Sequence, residues 1–465
     1  MAKKNMRIEK DSMGNVDVPS HAYYGAQTQR AIDNFQISNL QFSKSFIKSL
    51  AIIKRSAAVV NNKLGKLDSK YSEAIIKASE EVIDGKFDDQ FKVDVFQTGS
   101  GTSTNMNINE ILSNRASEIL GGKLGSRDPI HPNDHVNLGQ SSNDVIPSAI
   151  HISVYLDVQN YLIPSLAELE KSLSKKSEEF IGIIKIGRTH LQDATPISLQ
   201  QEFSGYVQQI KKSIVRLKKS KEDLLELAIG GTAVGTGINT HKEFGKLMAA
   251  EISNYTTADF IETDNHFELQ ASQDSIIELS GSLKTVSVSL HKIANDIRWL
   301  ASGPRSGIGE LTLPAVQPGS SIMPGKVNPV ISESLIQICA KVIGNDTAIT
   351  MGGLGGVFQL NTMLPLIAYN TLESIQLLSN GINMFREKLI DGLIANKDIC
   401  NNYIEGSLAM CTSLAPVIGY DRAAHIAHLA FASGKTIREI VLEKNILSET
   451  ELEKLLDPEN MIKTE

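Results

Sequence analysis

Cysteine is scarce. The chain has three, Cys339, Cys400 and Cys411, which cannot all pair with one another, and none sits in a C-x-x-C or Cys/His group of metal-ligand spacing. The reading that remains is reduced thiols in a cytoplasmic protein. Long hydrophobic runs are missing too, and no uninterrupted apolar span is long enough to cross a bilayer. The charged opening, residues 1–10, leads into no apolar segment or small-residue cleavage site, which argues against a secretory signal. There is no basic excess: 46 Lys and Arg against 53 Asp and Glu give a net charge of -7, so nothing calls for nucleic acid or an anionic membrane as partner. An anionic ligand must therefore be attracted locally. Continuous strand alternation is nearly absent, and there is no internal repeat or low-complexity segment.

What the chain does have is helical periodicity. Its 465 residues, 41% hydrophobic and 21% charged, are ordinary for a globular protein of two to three domains or one elongated one. Between 269 and 300, Ile276, Leu279, Leu283, Val286, Leu290, Ile293, Ile297 and Leu300 recur three and four apart, as in a bundle-forming helix. Serines and Gly281 stand where a solvated face would carry charge, which predicts that other helices surround this one, inside an oligomer. Similar stripes run through Ile152, Leu156, Ile163, Leu166 and Leu173, where Pro164 predicts a kink, and through Ile375, Leu378, Ile382, Phe385 and Leu389. Residues 198–228 read as a further long helix. Short turns break the pattern before about 140 and after about 392. The expectation is an all-α protein with an N-terminal helical domain (1–140), a long-helix core (141–392) and a small C-terminal helical domain (393–465).

Four polar clusters carry the chemistry. The first, Thr98-Gly99-Ser100-Gly101-Thr102-Ser103-Thr104-Asn105-Met106-Asn107, sets hydroxyls and glycines before a helical run expected at 108–120. The second, Gln140-Ser141-Ser142-Asn143-Asp144, precedes another helix with Pro147 expected in its first turn. Taken alone, either could be a plain helix cap. The third, Gly187-Arg188-Thr189-His190-Leu191-Gln192-Asp193-Ala194-Thr195-Pro196, holds a histidine able to exchange protons near neutrality, in a polar loop leading to a helix. The fourth, Gly319-Ser320-Ser321-Ile322-Met323-Pro324-Gly325-Lys326-Val327-Asn328-Pro329, combines a serine pair, glycine hinges and a lysine ahead of a helix bearing Glu333. Such a loop suits carbanion chemistry, in which charge added to a carboxylate must meet fixed donors. The glycine-rich run 230–237 lacks the Gly-Lys-Ser/Thr ending and preceding strand of a phosphate loop, so a nucleotide site is discarded.

The four clusters match, in order, the signature motifs of the fumarase/aspartase superfamily. The chain resembles the class II fumarases over nearly its whole length, beginning with Glu9-Lys10-Asp11-Ser12-Met13-Gly14 and Tyr24-Gly25-Ala26-Gln27-Thr28-Gln29-Arg30. Three places separate it from the aspartases: Gly99-Ser100-Gly101-Thr102 where they tend to have Gly-Ala-Gly-Thr, His190 where they carry Gln, and Gly325 where many have Ala. The histidine votes for water, because hydration needs a group that takes a proton from water and returns it.

The resemblance implies a three-domain fold whose central helices assemble into a tetrameric core, a homotetramer with each active site lined by three chains. It implies reversible hydration of fumarate to (S)-malate through an aci-carboxylate carbanion, with no metal or organic cofactor. Carried over by position, Ser320 removes the C3 proton of malate, with Ser321 beside it as a substrate contact, and Lys326 and Asn328 hold a carboxylate. Ser141, Ser142 and Thr189 are further carboxylate contacts; Ser100, Thr102, Asn143 and His190 hold the water, with Glu333 pairing His190. A serine is a poor base in water, and one charge about 4 Å away is worth roughly 4 kcal/mol at an effective dielectric near 20, so several donors must converge on it. Relatives also have a second dicarboxylate site around His131, Asn133 and Asp134 with a nearby arginine; here Arg127 is offset and Asp128 intervenes. Many fumarases carry Lys-Ser where this chain has Leu138-Gly139, which lowers the charge near that helix start. Two alternatives stay open: ammonia elimination from aspartate, and a non-catalytic homologue of the lens-crystallin kind.

Overall fold

A computed structural model describes residues 5–462. The described chain is mostly α-helical, with five short two-stranded pairings. Contacts group it into two compact units: Met1–Pro164, Val215–Thr285 and Ala340–Ser379 form one, and Ser165–Ile214, Val286–Cys339 and Asn380–Glu465 the other.

In the first unit, the helices Lys44–Lys63 and Ser69–Ile83 pack together, started by Ser43 and Asp68, whose side chains accept from the first-turn amides. The helix Thr102–Ile119 is buried along most of its length, asparagines included. Residues 11–14 form the tight turn of an antiparallel hairpin, Met6–Asp11 with Gly14–Pro19, one of the short turns expected before 140 but between strands. The helix Ala26–Asn34 has no side-chain cap from its own N-cap residue. Glu110 supplies one instead: its buried carboxylate accepts from Gly25 N (2.9 Å), Gln27 N (2.9 Å), Thr28 N (3.1 Å) and Thr28 Oγ1 (2.6 Å). A β-carbon on Gly25 would stand 2.6 Å from Glu9 Oε2 and 2.9 Å from Glu110, so glycine is the residue that fits.

The second unit contains an antiparallel hairpin, Ile184–Thr189 with Gln192–Ser198, in place of the polar loop expected there. Its buried Ile184 and Ile186 join the core of the C-terminal helices, packing with Ile404, Met410, Leu414, Ile426 and Val441. The long helix at 198–228 is shorter than expected, Leu199–Ser220.

The long apolar stripes are in place. Ile276, Leu279, Leu283, Val286, Leu290, Ile293 and Ile297 are all buried along the helix Asp274–Leu300, which is separated from the short helix His266–Ala271 by a break at Ser272 and Gln273. The kink expected at Pro164 takes the form of a π turn, Val158–Leu162, between the helices Ser142–Asp157 and Ile163–Glu179. The missing proline N–H and its ring disturb the ladder there.

Candidate active site

The first unit brings the first two clusters together. The helix expected from 108 begins at Thr102, with Gly101 as N-cap at φ 74, and Gly99 touches another segment: a β-carbon there would lie 1.9 Å from Thr362 O. These glycines leave Ser100 and Thr102 pointing hydroxyls into one chain, Ser100 Oγ to Thr102 Oγ1 at 2.9 Å and Thr102 Oγ1 to Ser142 Oγ at 2.7 Å. Ser142 opens the helix Ser142–Asp157, so Pro147 lies inside the helix and beyond its first turn. Ser141 is its N-cap, accepting from Asn143 N at 3.2 Å while Asp144 accepts from Ser141 N at 2.9 Å, a reciprocal capping box. Asn143 Nδ2 donates to Ala233 O at 2.7 Å, leaving its oxygen as the amide's acceptor. The result is hydroxyls gathered at a helix start, chemistry that suits an anion or a water.

Asp144 anchors this group and was missed as a functional residue in the sequence. Its carboxylate is 0% exposed and its Oδ2 accepts from Gly230 N (3.1 Å) and Thr232 N (2.9 Å). Burial pushes the carboxyl up, to about 6, against the pull of three backbone amides and of the Lys54 charge. The amides of the glycine-rich run at 230–237 thus serve an internal carboxylate. The pattern Ser-x-x-Asp at a helix start was the readable signal.

The second unit holds the third and fourth clusters. Thr189 pairs with Gln192, and His190 and Leu191 form the two-residue turn between the strands, both exposed and both left-handed, at φ 56 and 58. Hairpin turns of this shape favour Asn-Gly, so a histidine and a leucine there mark stored backbone strain. The hairpin is held by a buried ion network. Arg188 grips Glu310 at 2.9 and 3.0 Å, Lys185 lies 3.2 Å from Glu310 and 3.0 Å from Glu202, and Glu310 is 0% exposed.

In the loop, Ser320 Oγ accepts from two backbone amides, Ile322 N at 3.2 Å and Met323 N at 3.0 Å. Gly319 N donates to Lys326 O at 2.9 Å, closing the loop at its base, and Asn328 Nδ2 donates to Gly319 O. Ser321 and Lys326 are exposed; Ser320 and Asn328 are half-buried. Residues 325–329 wall a cavity of about 610 Å³ that Arg298, Trp299 and Leu313 also line. Glu333 sits in the first turn of the helix Val330–Gly353, and among the described residues no ion pair joins it to His190 within one chain.

His131, Asn133 and Asp134 lie together in the first unit. His131 Nδ1 accepts from the amides of Asn133 (3.3 Å) and Asp134 (3.2 Å) at the start of a short π turn, Pro132–Val136. The charge of Arg127 acts on the carboxyls of Glu9 and Asp11.

Residues 14–344 match the family model described as Lyase, and residues 410–463 match that of the Fumarase C C-terminus. The chain is 50% identical over 455 residues to the class II fumarate hydratase of Nitrosomonas europaea, covering 98% of each. It is 49% identical to the human mitochondrial fumarate hydratase, covering 99% of this chain and 91% of that one. Its fold is similar to the crystal structure of the class II fumarase of Schistosoma mansoni, with a TM-score of 0.95 at 41% identity over 98% of this chain and 99% of the other. A serine whose oxygen faces two amides, a strained histidine turn and a row of hydroxyls at a helix start therefore stand in a chain that belongs to the class II fumarate hydratase family.

Proposed function

We infer that this chain catalyses the reversible hydration of fumarate to (S)-malate. The observation that carries the chemistry is Ser320 Oγ held between the amides of Ile322 and Met323. A serine oxygen that already accepts two N–H donors gains most from them once it loses its proton, which is what a serine base requires. In the dehydration direction Ser320 takes the C3 proton of malate, and the resulting charge moves onto the neighbouring carboxylate, held by Lys326 and Asn328, with Ser321 as a further contact. Ser141, Ser142 and Thr189 bind carboxylate. Ser100, Thr102, Asn143 and His190 hold the water that leaves from C2, His190 handling its proton with Glu333 as its partner.

The same reading makes the chain a homotetramer with active sites shared by three subunits. Gly281 and Gly344 meet nothing within 4 Å, and Val288, Met351 and Leu354 are exposed on helices or at their ends, a surface that suits further helices packing against it. His190 and Glu333 then meet across subunits. The division at about 140 and 392 into N-terminal, core and C-terminal domains belongs to this reading, as does a cytoplasmic location, supported by buried, unpaired Cys339 and Cys400. Among the described residues no helix is long and apolar enough to cross a membrane. With Arg127 offset in the sequence and Asp128 intervening, His131, Asn133 and Asp134 make at most a weakened second dicarboxylate site.

The test is substrate choice on purified protein, followed at the absorbance of fumarate. Fumarate should form from malate and not from aspartate; turnover of aspartate with none of malate would replace this reading by ammonia elimination.

A further inference from the structure

We propose that Lys54 is a positioning residue for the carboxylate-binding helix start, its buried side chain holding Asn137 and Gln140 so that Ser141, Ser142 and Asn143 stand in place. The proposal rests on reading those three residues as substrate contacts.

Lys54 follows Leu50, Ala51, Ile52 and Ile53 on the helix Lys44–Lys63, and like them it is buried, at 0% exposure. Its Nζ donates to two amide oxygens, Asn137 Oδ1 at 3.0 Å and Gln140 Oε1 at 2.9 Å. Asn137 Oδ1 also takes Asn105 Nδ2 (3.2 Å) and Asn109 Nδ2 (3.1 Å), so three donors converge on one oxygen. From there the bonds run onward into the segment that enters the helix. Gln140 Nε2 donates to Val136 O and Leu138 O, Asn137 Nδ2 to Gln140 O, and Asn61 Nδ2 to Leu138 O. Side chains therefore brace the backbone from 136 to 140, immediately before Ser141.

An ammonium enclosed in this way is a costly choice if packing were its purpose, since a methionine would fill the same space without desolvating a charge. Burial pushes it down, to about 7, while the Asp144 carboxylate on the facing helix pulls the other way. The segment 136–143, Val-Asn-Leu-Gly-Gln-Ser-Ser-Asn, has no cation of its own. Lys54 therefore acts on it through the two amide side chains it holds, Asn137 and Gln140.

The experiment compares wild type with Lys54→Met as purified full chains, measuring kcat and KM for malate together with thermal melting. The expected result is a KM raised about tenfold with kcat within about threefold of wild type, the pattern of lost binding to ground and transition state alike. The melting temperature should fall as well, because Gln140 Oε1 loses its donor and the buried Asp144 carboxylate its nearby positive charge, so the split between KM and kcat decides. A residue that merely supports the fold would lose stability and kcat together, and that outcome, or a KM within about twofold of wild type, overturns the proposal. Should Lys54→Met fail to fold, Gln140→Leu keeps the ammonium but removes one of its two acceptors, and an unchanged KM there overturns the proposal equally. Wild-type protein that leaves malate untouched would instead overturn the hydratase reading, and the role of Lys54 with it.

Discussion

Arg188 binds Glu310 through both ends of its guanidinium, at 2.9 and 3.0 Å, deep in the second unit. Glu310 also faces Lys185, so one carboxylate balances two cations, and the residue after Arg188 is Thr189. Replacing Glu310 with Gln strips Arg188 of its ion pair and leaves Lys185 with Glu202 alone. The variant should be less stable by about 3 kcal/mol or more, read from its urea midpoint, and kcat should fall as the turn bearing His190 loses its anchor. A midpoint equal to wild type would show that the network carries no such load.

Ser320→Ala removes the oxygen that the amides of Ile322 and Met323 face. Turnover of malate should drop by roughly 10²–10⁴-fold, the usual worth of a positioned base, with the fold and assembly unchanged by circular dichroism and gel filtration. Near-normal kcat would remove Ser320 from the mechanism.

The His190–Leu191 turn gives two separable outcomes. Leu191 is left-handed at φ 58 and 64% exposed, so Leu191→Gly relieves strain with little packing lost and should add about 1 kcal/mol of stability. Asparagine tolerates left-handed backbone, so His190→Asn keeps the turn while removing the imidazole. It should slow hydration by roughly 10²-fold with a smaller change in KM. A thermal melt and steady-state kinetics decide between them.

His151 predicts an acid-side weakness unconnected with catalysis. It is 1% exposed, with Nδ1 against Glu226 O at 2.8 Å and Nε2 against Ser275 Oγ at 3.0 Å, and burial holds its pKa down at about 4. An unfolded histidine takes up its proton below about 6.5, so between about 6.5 and 4 the unfolded chain binds more protons and stability falls as the pH is lowered. The full effect is roughly 3 kcal/mol. His151→Gln should flatten that part of the stability profile, and parallel slopes for variant and wild type between pH 7 and 5 would refute the assignment.

The long helices were legible because each buries a single apolar stripe, as Ile276 to Ile297 shows, and the four clusters were legible because polar and glycine residues concentrate where helices begin. The hairpin around His190 was hidden. Ile184, Lys185 and Ile186 alternate for only three residues before Gly187, and His-Leu replaces the Asn-Gly that signals a tight turn. The anchors Asp144, Lys54 and Glu310 were hidden for another reason. A charge enclosed by partners from distant segments looks, in one dimension, like any solvated charge.

Glu110 has a consequence for the newborn chain. The first turn of the helix Ala26–Asn34 is completed by a carboxylate more than eighty positions downstream. While the ribosome has released only the leading hundred residues, three amides there have no protein acceptor from this source, and the opening segment must wait for the helix Thr102–Ile119 before it can settle. Folding of this end is thereby tied to the arrival of the same helix whose first residue, Thr102, carries a hydroxyl of the proposed site.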